Sequence, residues 1–213
     1  MNVLAIGAHL DDIELACGGT LAKAAANGHD VRMVVLSQSD YANYRGETFR
    51  TKEQALREGH AAARELGVRD LVVLDNPTKD IPYHSTIVEQ IEEHIDDFKP
   101  DMIFTHWAFD THQAHQGVAL STISAARRHP SILMYEPISP SGRSYVGFRP
   151  QAYVDISATI ERKLSSLRAH ESQYQKYGDK WLEAIQARAR HRGFEGGCDY
   201  AESFEILRMG LAL

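Results

Sequence analysis

Residues 3–28 of the chain read VLAIGAHLDDIELACGGTLAKAAANG, and this stretch contains the first unit of a pattern that repeats along most of the sequence. The apolar run Val3–Ile6 predicts a buried strand, and the alanine-rich run Glu14–Asn27 predicts a helix that ends at Gly28. A short polar turn joins the two. A strand followed directly by a helix is the first half of a βαβ crossover, the building block of parallel sheets.

The same alternation continues as far as residue 135. Further strands are predicted at Asp30–Leu36, Asp70–Leu74, Asp101–Thr105 and Ile132–Tyr135, with helices between them at Thr51–Leu66, Thr86–Phe98 and Gln116–Arg128. This alternation indicates βαβ units and a sheet that is covered on both faces. With right-handed crossovers, the predicted fold class is α/β, with a Rossmann-like, doubly wound, mostly parallel sheet in the strand order 3-2-1-4-5.

The pattern changes after Pro137. From there the sequence predicts one extra strand and two charged helices, at Ala152–Ile156, Ser157–Tyr174 and Lys180–Arg192. We therefore expect a single domain over residues 1–213. It would have a Rossmann-like core at residues 1–137 and a helical C-terminal extension at residues 138–213 that packs on the same sheet.

Composition argues against several classes of protein. The chain has 23 Lys and Arg against 29 Asp and Glu, a net charge of −6, and no basic stripe, so nucleic acid is not an expected partner. Two isolated cysteines, Cys17 and Cys198, are typical of a reduced, cytoplasmic protein. No apolar run approaches the ~18 residues of a membrane span. Histidine stands out with 11 copies, and histidine is the commonest metal ligand.

Two polar clusters directly follow predicted strands. Residues 8–14 (AHLDDIE) come after the first strand, and residues 105–115 (THWAFDTHQAH) come after the fourth. In an open α/β sheet, ligands bind outside the carboxyl ends of the strands, at the point where the strand order reverses. The first and fourth strands are neighbours at that point in the predicted order. The two clusters are therefore expected to face each other.

Together the clusters contain the groups of a catalytic metal site. Two histidines and a carboxylate are a common ligand set for catalytic zinc. His112 and His115 can project from one helix face, and His9 and Asp12 have the same spacing. If Asp12 is a ligand, Asp11 points elsewhere and is free to act as a general base in metal-assisted hydrolysis. A plainer alternative is that the aspartates only cap the next helix and that the histidines are structural.

These clusters resemble the two signature motifs of the LmbE/PIG-L family of zinc-dependent N-deacetylases. The family motif A-H-P-D-D-E is similar to Ala8–Glu14, with Leu10 in place of the proline and the glutamate displaced by one position. The second motif, roughly H-x-x-x-D-x-H-x-D-H, is similar to His106–His115. The likeness extends to the Gly-Gly-Thr of the first helix, to residues 61–67 (AAARELG) and to residues 170–173 (HESQ).

The resemblance implies a zinc-dependent hydrolase that removes the N-acetyl group from an N-acetylglucosamine-type sugar or sugar conjugate. It implies that His9, Asp12 and His115 are the zinc ligands. It also implies that Asp11 is the general base and later protonates the leaving amine. His112 would stabilise the tetrahedral oxyanion beside the zinc.

Family members also hold sugar hydroxyls with an arginine after the second strand and an acid after the third. Arg50 and Asp80 are the candidates here for these substrate contacts, with Arg57 and Asp75 as the alternatives. A solvated position on a helix surface is the simpler alternative for any one of the arginines.

One further departure from the family pattern bears on the histidines. The aspartate before the last histidine is Ala114 here. In the family, that carboxylate would orient a neighbouring histidine and favour its charged form. Asp110 could replace it through space; without a replacement, His112 would lose imidazolium character, which would call its oxyanion role into question. His106 is expected to lie in contact with the ligands rather than on the metal.

The main hypothesis is a deacetylase that acts on a small N-acetylated amino sugar. Two alternatives remain: the same metal site could hydrolyse a different amide or an ester, or the chain could bind metal or sugar without turnover. The loops at residues 37–50 and 139–148 contain Tyr41, Tyr44 and Tyr145. Such rings suit stacking on a sugar or a contact within a homo-oligomer.

Overall fold

The structure, a computed structural model, describes residues 1–210. In it the first apolar run forms β1 (Asn2–Gly7), and the alanine-rich run forms α1 (Asp12–Ala26). The remaining elements of the core are β2 (Asp30–Ser37), β3 (Tyr41–Ala42), β4 (Thr48–Arg50), α2 (Lys52–Leu66), β5 (Asp70–Asn76), α3 (Ser85–Phe98), β6 (Met102–Thr105), α4 (Gln113–Ala125) and β7 (Ile132–Tyr135).

As far as residue 210, the C-terminal extension adds two strands and three helices to this core. They are β8 (Ala152–Asp155), α5 (Ile160–Ala169), α6 (Glu171–Tyr177), α7 (Asp179–Gly196) and β9 (Ala201–Arg208). The single helix predicted at Ser157–Tyr174 is in fact two helices, because the chain breaks at His170, between α5 and α6. Among residues 1–210, none of the helices combines the length and the apolar character that a membrane crossing requires.

Within residues 1–210, the main sheet has seven strands in the order β5-β2-β1-β6-β7-β9-β8. The first five of these strands are parallel and follow the predicted order 3-2-1-4-5, so the predicted doubly wound α/β fold is confirmed. β9 pairs antiparallel with β7, and β8 pairs antiparallel with β9. The predicted extra strand, β8, therefore joins the sheet through a strand that the sequence analysis did not predict.

The sequence pattern does not predict β9, because two of its buried residues are glutamates, Glu202 and Glu205. Glu202 accepts hydrogen bonds from the backbone N–H groups of Gly19 (2.9 Å) and Thr20 (2.7 Å) and forms an ion pair with Lys163. Acids interrupt the apolar pattern that marks a buried strand, yet a buried acid is tolerated when partners of this kind surround it.

The two faces of the sheet bury separate apolar clusters. Alternate residues of β1 point to opposite faces. Val3 and Ala5 join the cluster under α1 and α2, whereas Leu4 and Ile6 join the cluster under α3 and α4. Burial on both faces explains why the parallel strands read as unbroken apolar runs.

The extension packs on the α1 and α2 side of the sheet. Helix α5 lies against α1 and α2, and a third apolar cluster joins α5 to α7. At Gly19 in α1, a Cβ atom would meet the side chain of Ile156 at 2.7 Å. The glycine therefore permits the close approach between α1 and the extension.

The strand order reverses between β1 and β6, which are neighbours with Ala5 opposite Phe104. The chain leaves β1 for a helix on one face of the sheet and leaves β6 for a helix on the other face. The loops after these two strands therefore open into one crevice. Helix α4 begins at Gln113, earlier than the predicted start at Gln116, so His112 is its N-cap and His115 lies in its first turn.

Candidate active site

The turn between β1 and α1 carries the first cluster in a strained conformation. Asp11 has φ of 138° and ψ of −24°, a region that residues with a side chain rarely adopt. Asp11 stands at the N-cap of α1, but its side chain makes no capping hydrogen bond, so capping does not explain it. The next residue, Asp12, accepts a hydrogen bond from the backbone N–H of His9 at 2.7 Å.

The carboxylate of Asp12 lies among three imidazole rings. Its Oδ2 is 3.2 Å from Nδ1 of His9 and 3.3 Å from Nε2 of His106, and its Oδ1 is 3.2 Å from Nε2 of His115. Burial raises the pKa of Asp12, but the interactions with the neighbouring histidines, His115 first, outweigh burial and hold it well below its usual range. Asp12 is therefore an anion at the centre of the histidine cluster.

Two of these rings are held through their other nitrogen. Nε2 of His9 donates to the backbone carbonyl of Thr78 at 3.0 Å, and Nδ1 of His115 donates to Oδ2 of Asp110 at 3.0 Å. These partners place a proton on Nε2 of His9 and on Nδ1 of His115, because a carbonyl or a carboxylate only accepts. His9 therefore turns Nδ1, and His115 turns Nε2, toward Asp12. Hydrogen bonds of this kind orient the histidines of metal sites.

Asp110 holds the second cluster together. Its Oδ1 accepts the backbone N–H of His112 at 2.8 Å, and its Oδ2 accepts from Nδ1 of His115 and from Oγ of Ser141 at 3.2 Å. Burial raises the pKa of Asp110, but its bond to His115 outweighs burial and lowers the pKa. Asp110 thus orients the ring of His115 but only the backbone of His112. It does not replace, at the ring of His112, the carboxylate that is missing at Ala114.

The rings of His112 and His106 are neutral. Nδ1 of His112 accepts the backbone N–H of Ala114 at 3.3 Å, and Nε2 of His106 accepts the backbone N–H of Ala8 at 3.0 Å. Burial and the charge of His115 lower the pKa of both rings to about 4. His112 therefore lacks imidazolium character, as expected without a replacement carboxylate, but its neutral ring still carries a donor at Nε2.

The two clusters form the floor of a pocket of about 450 Å³. Asp11, Asp12, Asp110 and the rings at positions 9, 106, 112 and 115 all line it. The walls come from the loop after β7 and from α6 and α7, and they include Ile138, Pro140, Ser141, Gln173, Tyr177 and Trp181. The C-terminal extension therefore completes a pocket whose floor belongs to the core.

Asp11 lines this pocket beside the histidine cluster. Burial, and then the negative charge of Asp12, raise the pKa of Asp11 to about 6. A carboxylate with a pKa near neutrality suits proton transfer in both directions. The general base that the family resemblance implies therefore has a suitable position and a suitable electrostatic environment.

The candidate substrate residues lie in different places. Arg50 lines the pocket, but only 3% of its surface is exposed and its guanidinium contacts protein groups. Asp80 is exposed on the loop after β5, which brings Lys79 to the pocket instead. Arg57 is exposed on α2, and Asp75 lines a neighbouring pocket of about 460 Å³. The structure thus brings neither Asp80 nor Arg57 to the candidate active site.

Several wall residues are not indicated by any pattern in the sequence. Of the tyrosines singled out in loops, Tyr41 lines the pocket, whereas Tyr44 and Tyr145 are exposed outside it. Gln173 and Trp181 lie in helices that sequence patterning assigns only to packing of the extension. The likeness at residues 170–173 was the one signal that pointed to this region.

The residues present fit a divalent metal. The donor atoms of His9, Asp12 and His115 all lie within 4.8 Å of one another, and two imidazoles with a carboxylate are a common catalytic zinc set. His106, Asp110 and His115 also lie within 4.8 Å. In that second set, however, Asp110 already accepts from His115, and Nε2 of His106 accepts a backbone N–H. The first set is therefore the better metal site.

Known proteins similar to this chain include deacetylases. The family model PIG-L, described as GlcNAc-PI de-N-acetylase, matches residues 4–126, a range that contains both clusters. The diacetylchitobiose deacetylase of Thermococcus kodakarensis is 27% identical, over 97% of this chain and 83% of its own length.

Solved structures share the fold. The conserved protein TT1542 from Thermus thermophilus superposes with a TM-score of 0.82 at 26% identity, covering 99% of this chain and 96% of that chain. GalB, the 4-carboxy-2-hydroxymuconate hydratase of Pseudomonas putida KT2440, has a TM-score of 0.82 at 17% identity, covering 100% of this chain and 98% of its own. The second likeness shows the fold alone, so the fold does not by itself specify the reaction.

The family match spans more than half of the chain and includes the histidine cluster and both aspartates of the first turn. The predicted family and the predicted enzyme class, a hydrolase that removes N-acetyl groups, are therefore confirmed: the chain belongs to the PIG-L family of deacetylases.

Proposed function

We propose that this chain is a zinc-dependent deacetylase that hydrolyses the acetamide of a small N-acetylated amino sugar of the N-acetylglucosamine type, free or in a conjugate. The observation that carries the proposal is the convergence of His9, Asp12 and His115 beside Asp11 on the floor of the pocket. The description of the family and the diacetylchitobiose deacetylase relative support an N-acetylated sugar as the substrate.

His9 through Nδ1, Asp12 through its carboxylate and His115 through Nε2 would hold the zinc. When bound, zinc supplies Lewis acidity, which polarises an amide carbonyl and lowers the pKa of water. With zinc bound, Thr78 and Asp110 would hold the remaining ring protons on Nε2 of His9 and Nδ1 of His115, so that the other two nitrogens face the metal.

Asp11 moves the proton in this proposal. The oxygen of a water molecule bonds to the acetamide carbon while one proton of that water passes to the carboxylate of Asp11. When the carbon–nitrogen bond breaks, Asp11 returns the proton to the amine nitrogen, and the products are acetate and the free amino sugar. A pKa near 6 favours both transfers, because neither protonation state is strongly preferred near neutral pH.

His112 stabilises the negative charge that develops on the carbonyl oxygen. Its Nδ1 accepts the N–H of Ala114, so the proton of the neutral ring lies on Nε2. The ring also stacks on His115 with a distance of 4.4 Å between centroids. These contacts hold the donor in place before the reaction, which is how such donors contribute most.

The walls of the pocket suit a sugar. Tyr41, Tyr177 and Trp181 supply aromatic surface, and Lys79 and Gln173 supply polar groups. Aromatic surface with a few polar groups is typical of sites for small polar ligands, and sugar rings stack on such surface. The pocket volume of about 450 Å³ lies within the usual range for small-molecule sites.

An acetate-release screen tests the proposal. Zinc-reconstituted protein is incubated with N-acetylglucosamine, N,N′-diacetylchitobiose and other acetamido sugars, beside simple amides and acetyl esters of similar size. We expect acetate from at least one acetamido sugar, with the activity removed by a chelator and restored by zinc. Acetate from only the non-sugar amides or esters would favour the alternative substrate class. Sugar binding without any acetate would favour a binding module.

A further inference from the structure

A buried arginine clamps the peptide unit that precedes Asp11. Nη1 of Arg50 donates to the backbone carbonyl of Leu10 at 2.9 Å, and the backbone N–H of Leu10 donates to Oγ of Ser39 at 2.7 Å. Side chains from the segment after β2 therefore hold both backbone groups of the residue before Asp11. Arg50 and Ser39 are each only 3% exposed, so water does not compete for these bonds.

The clamp lies where the backbone is strained. Asp11 has φ of 138°, and a residue other than glycine keeps such a conformation only when its surroundings determine it. The Leu10 carbonyl and the Asp11 nitrogen belong to one peptide unit, so the orientation of that unit sets the direction of the Asp11 side chain. Helix α2 adds to the restraint, because a Cβ at Gly59 would collide with the side chain of Leu10.

Arg50 is held in turn by Glu58 and His170. Its Nη2 lies 2.9 Å from Oε2 of Glu58 in α2 and donates to Nδ1 of His170 at 3.0 Å. Since arginine only donates, Nδ1 of His170 accepts and the proton of that ring lies on Nε2. Nε2 of His170 then donates to Oε1 of Glu14 in α1 at 3.1 Å. The network thus returns to the helix that begins with Asp12.

The same network reaches the wall of the pocket. Glu58 accepts the backbone N–H of Ser172 at 2.9 Å and its hydroxyl at 2.7 Å. Ser172 lies in the first turn of α6, which also carries the pocket residues Gln173 and Tyr177. One buried network therefore fixes both the turn that carries Asp11 and a helix that lines the pocket.

We propose that Arg50 is a positioning residue for Asp11, and that Glu58 and His170 position Arg50. The inference rests on the proposed function, in which Asp11 is the base. It assigns Arg50 to the Leu10 peptide unit rather than to the substrate contact that the family resemblance implies. Through His170, the C-terminal extension contributes to the proton-transfer step and not only to the wall of the pocket.

The inference is tested by the kinetics of two variants that remove hydrogen bonds to the Leu10 peptide unit, and of one control variant. Lysine at position 50 keeps the charge but cannot reach the Leu10 carbonyl, Glu58 and His170 together. We expect Arg50→Lys to lower kcat about 100-fold, with KM and zinc content unchanged, and Ser39→Ala to lower kcat about tenfold. Arg64→Lys, the same substitution at an exposed site of α2, leaves all three quantities unchanged. Rates are measured per folded, zinc-loaded molecule, so a loss of stability alone does not count.

The Asp11→Asn background separates positioning from other roles. If Arg50 acts through Asp11, adding Arg50→Lys to Asp11→Asn leaves the residual rate unchanged. A further fall of about 100-fold in that background would overturn the inference. A raised KM with unchanged kcat in the single variant would also overturn it, because that result indicates a direct substrate contact.

A crystal structure supplies a readout that does not depend on activity. In Arg50→Lys, or in Ser39→Ala if the first variant does not fold, we expect the Leu10–Asp11 peptide unit to rotate and φ of Asp11 to become negative. A φ that stays near 138° in both folded variants would contradict the inference. Failure of the wild-type protein to release acetate would instead count against the proposed function, since this geometry is tested without substrate.

Discussion

Nδ1 of His115 donates to Oδ2 of Asp110 at 3.0 Å, while Nε2 of the same ring faces Oδ1 of Asp12 at 3.2 Å. One ring thus bridges two carboxylates. Burial lowers the pKa of His115, but Asp12 and Asp110 outweigh burial and raise it to about 10. In the metal-free protein a proton therefore occupies Nε2 at neutral pH, at the atom proposed to bind zinc.

Zinc binding is predicted to release a proton and to tighten as the pH rises. The pKa of His115 in the metal-free protein is about 10, so the ring is protonated at pH 7 and must lose that proton to bind metal. The apparent association constant should rise about tenfold per pH unit for each proton released, between pH 6 and 8. Calorimetry in buffers of different ionisation enthalpy measures the proton count directly. An affinity that does not change with pH would contradict this assignment.

Removal of Asp110 is predicted to weaken the metal site without removing a ligand. Asp110→Ala deletes the acceptor that orients His115, and losses of this kind cost about 10- to 100-fold in metal affinity. Competition with a fluorescent chelator measures the change. Asp96→Ala, at an exposed position of α3, serves as the control and should leave the affinity unchanged. Equal affinities in the two variants would show that Asp110 does not support the site.

His112 is predicted to act on the transition state and not on the metal. His112→Ala should lower kcat about 10²- to 10³-fold while the zinc content stays at its wild-type value, because one donor to the developing oxyanion is lost. His112→Gln should recover part of this loss, since its amide also donates. Steady-state kinetics with measured metal content tests both. Loss of zinc from His112→Ala would instead indicate that His112 is a ligand.

The buried pair of Glu202 and Lys163 is predicted to join the extension to the core. Glu202 in β9 binds α1 and Lys163 in α5, and both side chains are 3% exposed. Glu202→Ala leaves the buried ammonium group of Lys163 without its counter-ion, so the free energy of unfolding should fall by about 3–5 kcal/mol. Replacing both residues by Leu and Met should recover much of that loss.

Urea denaturation measures these changes in the free energy of unfolding. Asp199→Ala removes the exposed partner of Arg190 and should cost less than about 1 kcal/mol. A single unfolding transition is expected, because we propose that residues 1–213 form one domain. A fall of less than about 1 kcal/mol in Glu202→Ala would contradict the role given to this pair.

The core of the fold could be predicted from the sequence because its strands are buried on both faces. The run Val3–Ile6 is apolar throughout, and Gly28 and Gly67 stop the helices that come after β1 and β2. β9 could not be predicted, because Glu202 and Glu205 are buried against partners that are distant in the sequence. Local patterning records whether a residue is polar but not whether the fold supplies it with a partner.

The same limit applies to the candidate site. Two short motifs contain His9, Asp12 and His115, and each motif comes directly after a strand. The sequence could therefore predict that these three side chains lie close together. The contact between His170 and Glu14 joins residues 156 positions apart, and no spacing in the sequence indicates it. Tertiary packing alone shows that Arg50 faces the Leu10 peptide unit, whereas the family resemblance implied a substrate contact.

The most direct test of proton transfer by Asp11 is to measure the kcat and the zinc content of Asp11→Asn and to compare them with those of the wild-type protein. Asparagine keeps the size of the side chain but cannot take a proton from water. About one zinc per chain is expected in both proteins, with a kcat about 10³-fold lower in the variant. An Asp11→Asn variant that binds zinc and keeps the wild-type kcat would contradict the assignment of Asp11 as the base.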